Sequence, residues 1–113
     1  MNPLKHLCTA LLLVVIGVLP DHASAQFQPS APVHGQLIDN RTGRPVPGLL
    51  VSLIHPALGR SAPAFTDPTG RFGWAAIPMR PEPYFLEVYW GQNLIYRQPI
   101  QVRGPIFLPP MRI

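Results

Sequence analysis

The sequence predicts an all-β domain, and three observations carry that expectation. Pro and Gly, 16 and 9 of the 113 residues, recur so closely after residue 19 that no helix of ordinary length fits between them. Between these breakers apolar residues alternate with a period of two, not at the i, i+3, i+4 spacing of an amphipathic helix. The alternating segments are also rich in β-branched and aromatic residues, which suit a pleated, half-buried surface.

The first element is not part of that fold. Lys5 precedes an apolar run from Leu7 to Leu19, and Pro20 and the small residues Ala23, Ser24 and Ala25 follow. This order of charge, apolar run and small-residue site is that of a helical secretory signal peptide over residues 1–25. Cleavage is expected between Ala25 and Gln26. As a helix the 13-residue run would reach only about 20 Å, against a hydrocarbon core of about 30 Å, so no stable membrane span is expected after cleavage. Cys8 lies before the run, where lipid attachment would need it after, and no other Cys follows. Residues 26–113 therefore lack a disulfide and any Cys-ligated zinc. Their length suits one domain, preceded by a flexible segment over residues 26–32.

From Val33 the strands follow in order: Val33–Asp39, Gly48–His55, Arg71–Ile77, Tyr84–Trp90 and Leu94–Val102. A short sixth lies in "APAFTD" and a terminal seventh in "IFLPPMRI". Many short strands at this spacing indicate a sandwich or small barrel. The connections have their own chemistry. In "TDPTGRF" Asp67 can bond the backbone two residues on, Pro68 presets φ, and Gly70 supplies a positive φ. A calcium loop would need oxygen ligands at alternate positions, and a phosphate cradle would need a following helix, so this is a turn. In "DNRTGRPVPG" Asp39, Asn40 and Gly43 form the bend, the prolines stiffen its exit and Gly48 admits close backbone contact. Asn40-Arg41-Thr42 also spells a glycan acceptor, though a turn role suits Asn40 better.

Together these stretches resemble a known family. "VHGQLIDNRTGRPVPGLLVSL", "FTDPTGRFGWAAIP" and "YFLEVYW" are similar to the carboxypeptidase regulatory-like domain. The resemblance rests on Val33, Gly35, Leu37, Asp39, Thr42, Gly43, Pro45, Val46, Gly48, Leu49, Val51, Thr66, Asp67, Gly70, Phe72, Tyr84, Leu86 and Val88. It implies an antiparallel seven-stranded transthyretin-like Greek-key sandwich over residues 33–113. These are turn and core positions, so the resemblance speaks to fold more than to function, and here the domain would stand alone. A transthyretin-related hydrolase of the same fold carries a C-terminal Tyr-Arg-Gly-Ser, whereas this sequence ends Pro-Pro-Met-Arg-Ile. That activity is disfavoured.

Catalysis has few candidates. His34 and His55 fall on opposite alternation phases if Val33 and Leu37 point inward with Val51 and Leu53, so they are expected at surface or strand-end positions and not to converge on a metal or an acid–base site. No cofactor, metal site or catalytic residue is expected. An isopeptide crosslink is excluded after residue 25, since the only Lys is Lys5. The eight Arg after that point, against Asp39, Asp67, Glu82 and Glu87, are scattered singly, so nucleic acid is not an expected partner.

Binding remains, and the hairpin "YFLEVYWGQNLIYRQPIQV" is its best candidate. A three-residue loop Gly91–Asn93 would set Glu87 against Arg97, Tyr89 against Ile95 and Phe85 against Pro99 on one side, with Val88 against Tyr96 and Trp90 against Leu94 on the other. Pro99 suggests an edge strand or a bulge. Phe85, Tyr89, Ile95 and Tyr96 are the expected binding residues. The function expected is that of a noncatalytic, secreted or periplasmic interaction or structural module. Its partner would be an envelope or secreted protein, with a glycan stacked on Tyr89, Trp90 or Tyr96 as the alternative. The tails could instead fold over this face.

Overall fold

The computed structural model describes residues 28–113. The expected signal peptide and the Ala25–Gln26 cleavage site lie outside the described residues. Among the described residues there is no helix, and the strands are β1 (Ser30–Ile38), β2 (Leu50–His55), β3 (Gly59–Arg60), β4 (Ala64–Phe65), β5 (Arg71–Pro78), β6 (Tyr84–Trp90), β7 (Asn93–Ile100), β8 (Ile106–Phe107) and β9 (Met111–Arg112). Nine strands replace the expected seven. "IFLPPMRI" is split by Pro109 and Pro110 into β8 and β9, and Gly59–Arg60 adds a two-residue strand after the turn that leaves β2. β1 begins at Ser30, inside the segment expected to be flexible, because Ala31 is buried and pairs with Ile77.

The strands form two sheets. One is ordered β5-β1-β8 with β9 also on β1, and the other β3-β2-β6-β7 with β4 also on β2. Most pairings are antiparallel, but β8 and β9 run parallel to β1, which corrects the wholly antiparallel expectation. The alternation explains which faces meet. Val33 and Leu37 of β1, Phe72 and Trp74 of β5, Val51 and Leu53 of β2, and Leu86 and Val88 of β6 belong to one buried cluster. Each such side chain contributes about 1.5–3 kcal/mol through removal from water. The largest buried aromatics are also anchored by polar atoms. Trp74 Nε1 donates to the Ala62 carbonyl at 2.7 Å and the Tyr84 hydroxyl to the Pro78 carbonyl at 2.6 Å. Burial pushes the Tyr84 hydroxyl above its ordinary pKa.

"TDPTGRF" is the β4–β5 turn. Asp67 Oδ1 accepts the Thr69 and Arg71 backbone N–H groups, both at 2.9 Å, and the Thr69 hydroxyl at 2.6 Å. The Thr69 hydroxyl, then the Arg71 N–H, hold this carboxyl below the usual aspartate value. Gly70 has φ 77°, and a Cβ there would stand 2.4 Å from the Leu37 carbonyl oxygen. The turn is thus pressed against β1, whose Leu37 N–H donates to the Gly70 carbonyl at 2.8 Å. Thr66 ties the same turn to the start of β2. Its hydroxyl accepts the Leu49 N–H at 2.9 Å and its carbonyl the Gly48 N–H at 2.9 Å. Asp39 organises the other bend, with Oδ1 accepting the Arg41 N–H at 2.7 Å and its carbonyl the Gly43 N–H at 2.8 Å. Gly48 is required for a different reason than expected: it has φ 77° but open space where a Cβ would stand.

The β6–β7 hairpin keeps part of the expected register. Phe85 faces Pro99, Glu87 faces Arg97 and Val88 faces Tyr96, but Tyr89 then faces Leu94 and Trp90 faces Asn93. The loop is therefore two residues, Gly91 and Gln92, and Ile95 is the extra residue of a bulge. Gly91 has φ 60°, as the first central position of a II′ turn requires. β7 is an edge strand, and the chain after it runs along β1 in the other sheet.

Candidate functional site

Because side chains alternate across a strand, the hairpin residues opposite in phase to Leu86 and Val88 form the outer face of the second sheet. Three cross-strand rows cover it: Leu50–Tyr89–Leu94, Ser52–Glu87–Arg97 and Ile54–Phe85–Pro99. Arg60, opposite Ile54 in β3, completes the face. Glu87 is its centre. Oε1 accepts the Tyr89 hydroxyl at 2.6 Å and lies 3.6 Å from Arg60 Nη2, while Oε2 lies 3.4 Å from Arg97 Nε.

The burial is uneven in a useful way. The Glu87 side chain is only 11% exposed, whereas those of Arg60 and Arg97 are 53% and 52% exposed. One shielded carboxylate therefore holds two half-exposed cations, and the cluster presents a net positive charge to solvent. Each guanidinium also lies against a ring: Arg97 Cζ is 4.1 Å from the centroid of Phe85 and Arg60 Cζ is 5.7 Å from that of Tyr89. Such stacking favours Arg over Lys, since the planar group is weakly hydrated and keeps its N–H fork free. Beside the cluster runs a groove of about 350 Å³ lined by Leu50, Ser52, Arg60, Pro63, Tyr89, Gly91 and Gln92. Both oxygens of Glu87 are engaged, so its chemistry is to position cations.

The four expected binding residues do not share one face. Phe85 and Tyr89 flank Glu87. Tyr96, opposite Val88, is packed against the core and donates its hydroxyl to Gln98 Oε1. Its phase puts it on the inner side, so it cannot stack on a ligand beside Tyr89. The bulge turns Ile95 away from Tyr89 to the end of the two-sheet body, where it lines a cavity with Trp90, Val46 and Leu49. Sequence pairing found Arg97, because the Glu87–Arg97 register selects itself by charge. It missed Arg60, whose approach depends on β3, a strand too short to have an alternation signal.

Among the described residues the two histidines, His34 and His55, are far apart in the topology, one in each sheet. His34 stacks on Phe107 with centroids 5.2 Å apart on the outer face of the first sheet. His55, expected at the surface or a strand end, does end β2 but is 1% exposed. Its Nδ1 accepts the Ala57 and Leu58 N–H groups at 3.0 and 3.2 Å, so the proton resides on Nε2, which faces Glu82 Oε1 at 3.1 Å. Both ring nitrogens thus brace the turn after β2 against the loop before β6. Burial raises the Glu82 pKa, but its own backbone N–H and the Arg80 guanidinium outweigh this, leaving it below the ordinary value. Among the described residues no three His, Cys, Asp or Glu side chains gather as metal ligands would. No protein-family model and no curated protein matches this chain.

Proposed function

We propose that this protein is a noncatalytic interaction module, secreted or periplasmic, built as a transthyretin-like Greek-key sandwich of the carboxypeptidase regulatory-like kind. Its outer β2–β6–β7 face engages an acidic surface of an envelope or secreted protein. The observation that carries this reading is the pair of half-exposed guanidiniums held by the shielded carboxylate of Glu87. Fixed cations beside aromatic rings lose little entropy on meeting a carboxylate, and Arg, Tyr and Phe are the residues enriched at protein interfaces. The same geometry argues against the glycan alternative at this face. A neutral sugar needs a bare ring, and the rings of Phe85 and Tyr89 each have a guanidinium against them.

The test is a crosslinked pull-down from native envelope with the wild type and with Tyr89→Ala/Arg97→Ala. The double variant should retain the fold by thermal melt and lose at least tenfold of the captured partner, as about 1.4 kcal/mol of lost interface energy would produce. Undiminished capture by a folded double variant would remove this face from the function. Binding on a glycan panel that depends on Tyr89 would replace the protein reading with the carbohydrate one.

A further inference from the structure

A second surface lies at the end of the body, apart from the Glu87 cluster. The tip of the β6–β7 hairpin exposes three large apolar residues, Trp90 at 61%, Leu94 at 48% and Ile95 at 47%. Their exposure has a structural cause. The II′ turn at Gly91 ends the pairing at Trp90–Asn93, and the bulge swings Ile95 out of the Tyr89 row. Together with Val46, Leu49 and Ile113, the Trp90 and Ile95 side chains border a cavity of about 250 Å³ that also reaches Asp39. Large apolar side chains exposed together around one turn mark an interaction surface.

The charges around it indicate the partner. The β1–β2 loop at this end carries Arg41 and Arg44, and Arg112 adjoins Ile113; all three are exposed. The Gly70 turn, which packs on Pro45 and Val46, brings Arg71 to the same end. Against these four cations stand Asp39 and Asp67, each of whose carboxylates is bound into its own turn by backbone N–H groups. The shape indicates the rest. Gly91, Gln92, Asn93 and Leu94 are all exposed, and a Cβ on Gly91 would meet nothing within 4 Å. A projecting two-residue turn needs a matching socket on a protein, but it can enter the fluid interface of a bilayer anywhere. Trp favours headgroup depth, Leu and Ile the acyl boundary, and Arg the phosphates of anionic lipids.

We propose that this end is a peripheral membrane-binding surface: Trp90, Leu94 and Ile95 insert at the headgroup level of an anionic bilayer, while Arg41, Arg44 and Arg112 contact lipid phosphates. This differs from a transmembrane span, and among the described residues no helix is long and apolar enough to form one. Trp90 and Ile95 lie apart from the protein-binding face around Glu87, whereas Leu94 borders it through its pairing with Tyr89.

The test uses the full chain and reads the tip directly. Capture by vesicles alone does not discriminate, because Leu7–Leu19 is itself apolar. The two tryptophans, Trp74 and Trp90, do discriminate, since Trp74 is 9% exposed and Trp90 is 61% exposed. With phosphatidylglycerol vesicles Trp90 emission should shift to the blue and be quenched by spin-labelled lipid at headgroup depth. Trp90→Phe should lose the shift while Trp74 keeps its native emission. Neutral phosphatidylcholine, raised salt, and Arg41→Ser/Arg44→Ser/Arg112→Ser should each diminish it. Unchanged Trp90 emission on vesicles that have captured the protein overturns the proposal. So does protection of Trp90 from aqueous acrylamide before lipid is added, which would mean that the chain itself or a second copy already covers the tip.

Discussion

Val88 and Tyr89 are neighbours in β6, yet Val88 is fully buried while Tyr89 stays partly exposed beside Arg60. The contrast extends along the hairpin. Leu86 and Val88 meet residues of the other sheet in the common core, while Phe85, Glu87 and Tyr89 meet arginines and solvent. The two faces also differ in how they hold their side chains. The inner face relies on non-directional burial, which tolerates similar shapes, and the outer face relies on a fixed set of donors around one carboxylate. Core packing and the charged cluster are thus divided between alternate residues of a single strand.

That division can be broken by substitution. Leu86→Ala, at a fully buried position, should cost about 2–5 kcal/mol by urea unfolding. Val88→Ala removes less volume at an equally buried site and should cost about 1–3 kcal/mol. Glu87→Gln keeps the shape but releases both guanidiniums, which stay solvated, so a loss of about 1 kcal/mol is expected, larger at low salt than at high. Tyr89→Ala should cost less than about 1 kcal/mol. A loss for Tyr89→Ala equal to that for Leu86→Ala would place the outer face in the core and end the comparison. A Glu87→Gln loss indifferent to salt would mean that the arginines are not held by its charge.

Much of this hairpin was legible because its signals are local. Alternation alone bounds Tyr84–Trp90, and the charge match of Glu87 with Arg97 selects the register that β6 and β7 adopt over their central rows. The bulge was not legible, since a Gly91–Gln92 turn followed by one unpaired residue and a three-residue loop place Glu87 against Arg97 equally well. The turn at Asp67–Gly70 was readable from side-chain and φ requirements, but not the 2.4 Å approach to Leu37 that makes Gly70 doubly restricted. Nonlocal partners explain the remaining gaps. Arg60 joins Glu87 through β3, and His55 is buried through Glu82 and two turn amides. Neither arrangement has a periodicity to detect. The end surface around Trp90 was divided in the sequence between a stacking residue and scattered arginines, and only the fold brings them to one place.

The parallel pairing of β8 and β9 with β1 has a consequence in time. Chain synthesis delivers β1 first, and its antiparallel neighbour β5 can join it after a moderate stretch, but its other edge stays unpaired until residues 106–112 have emerged. Closing so long a loop is entropically costly and slow compared with hairpin formation. Until residues 106–112 have emerged, β1 has only its β5 edge bonded, so the first sheet is completed by pairings far apart in the sequence and not by a local hairpin.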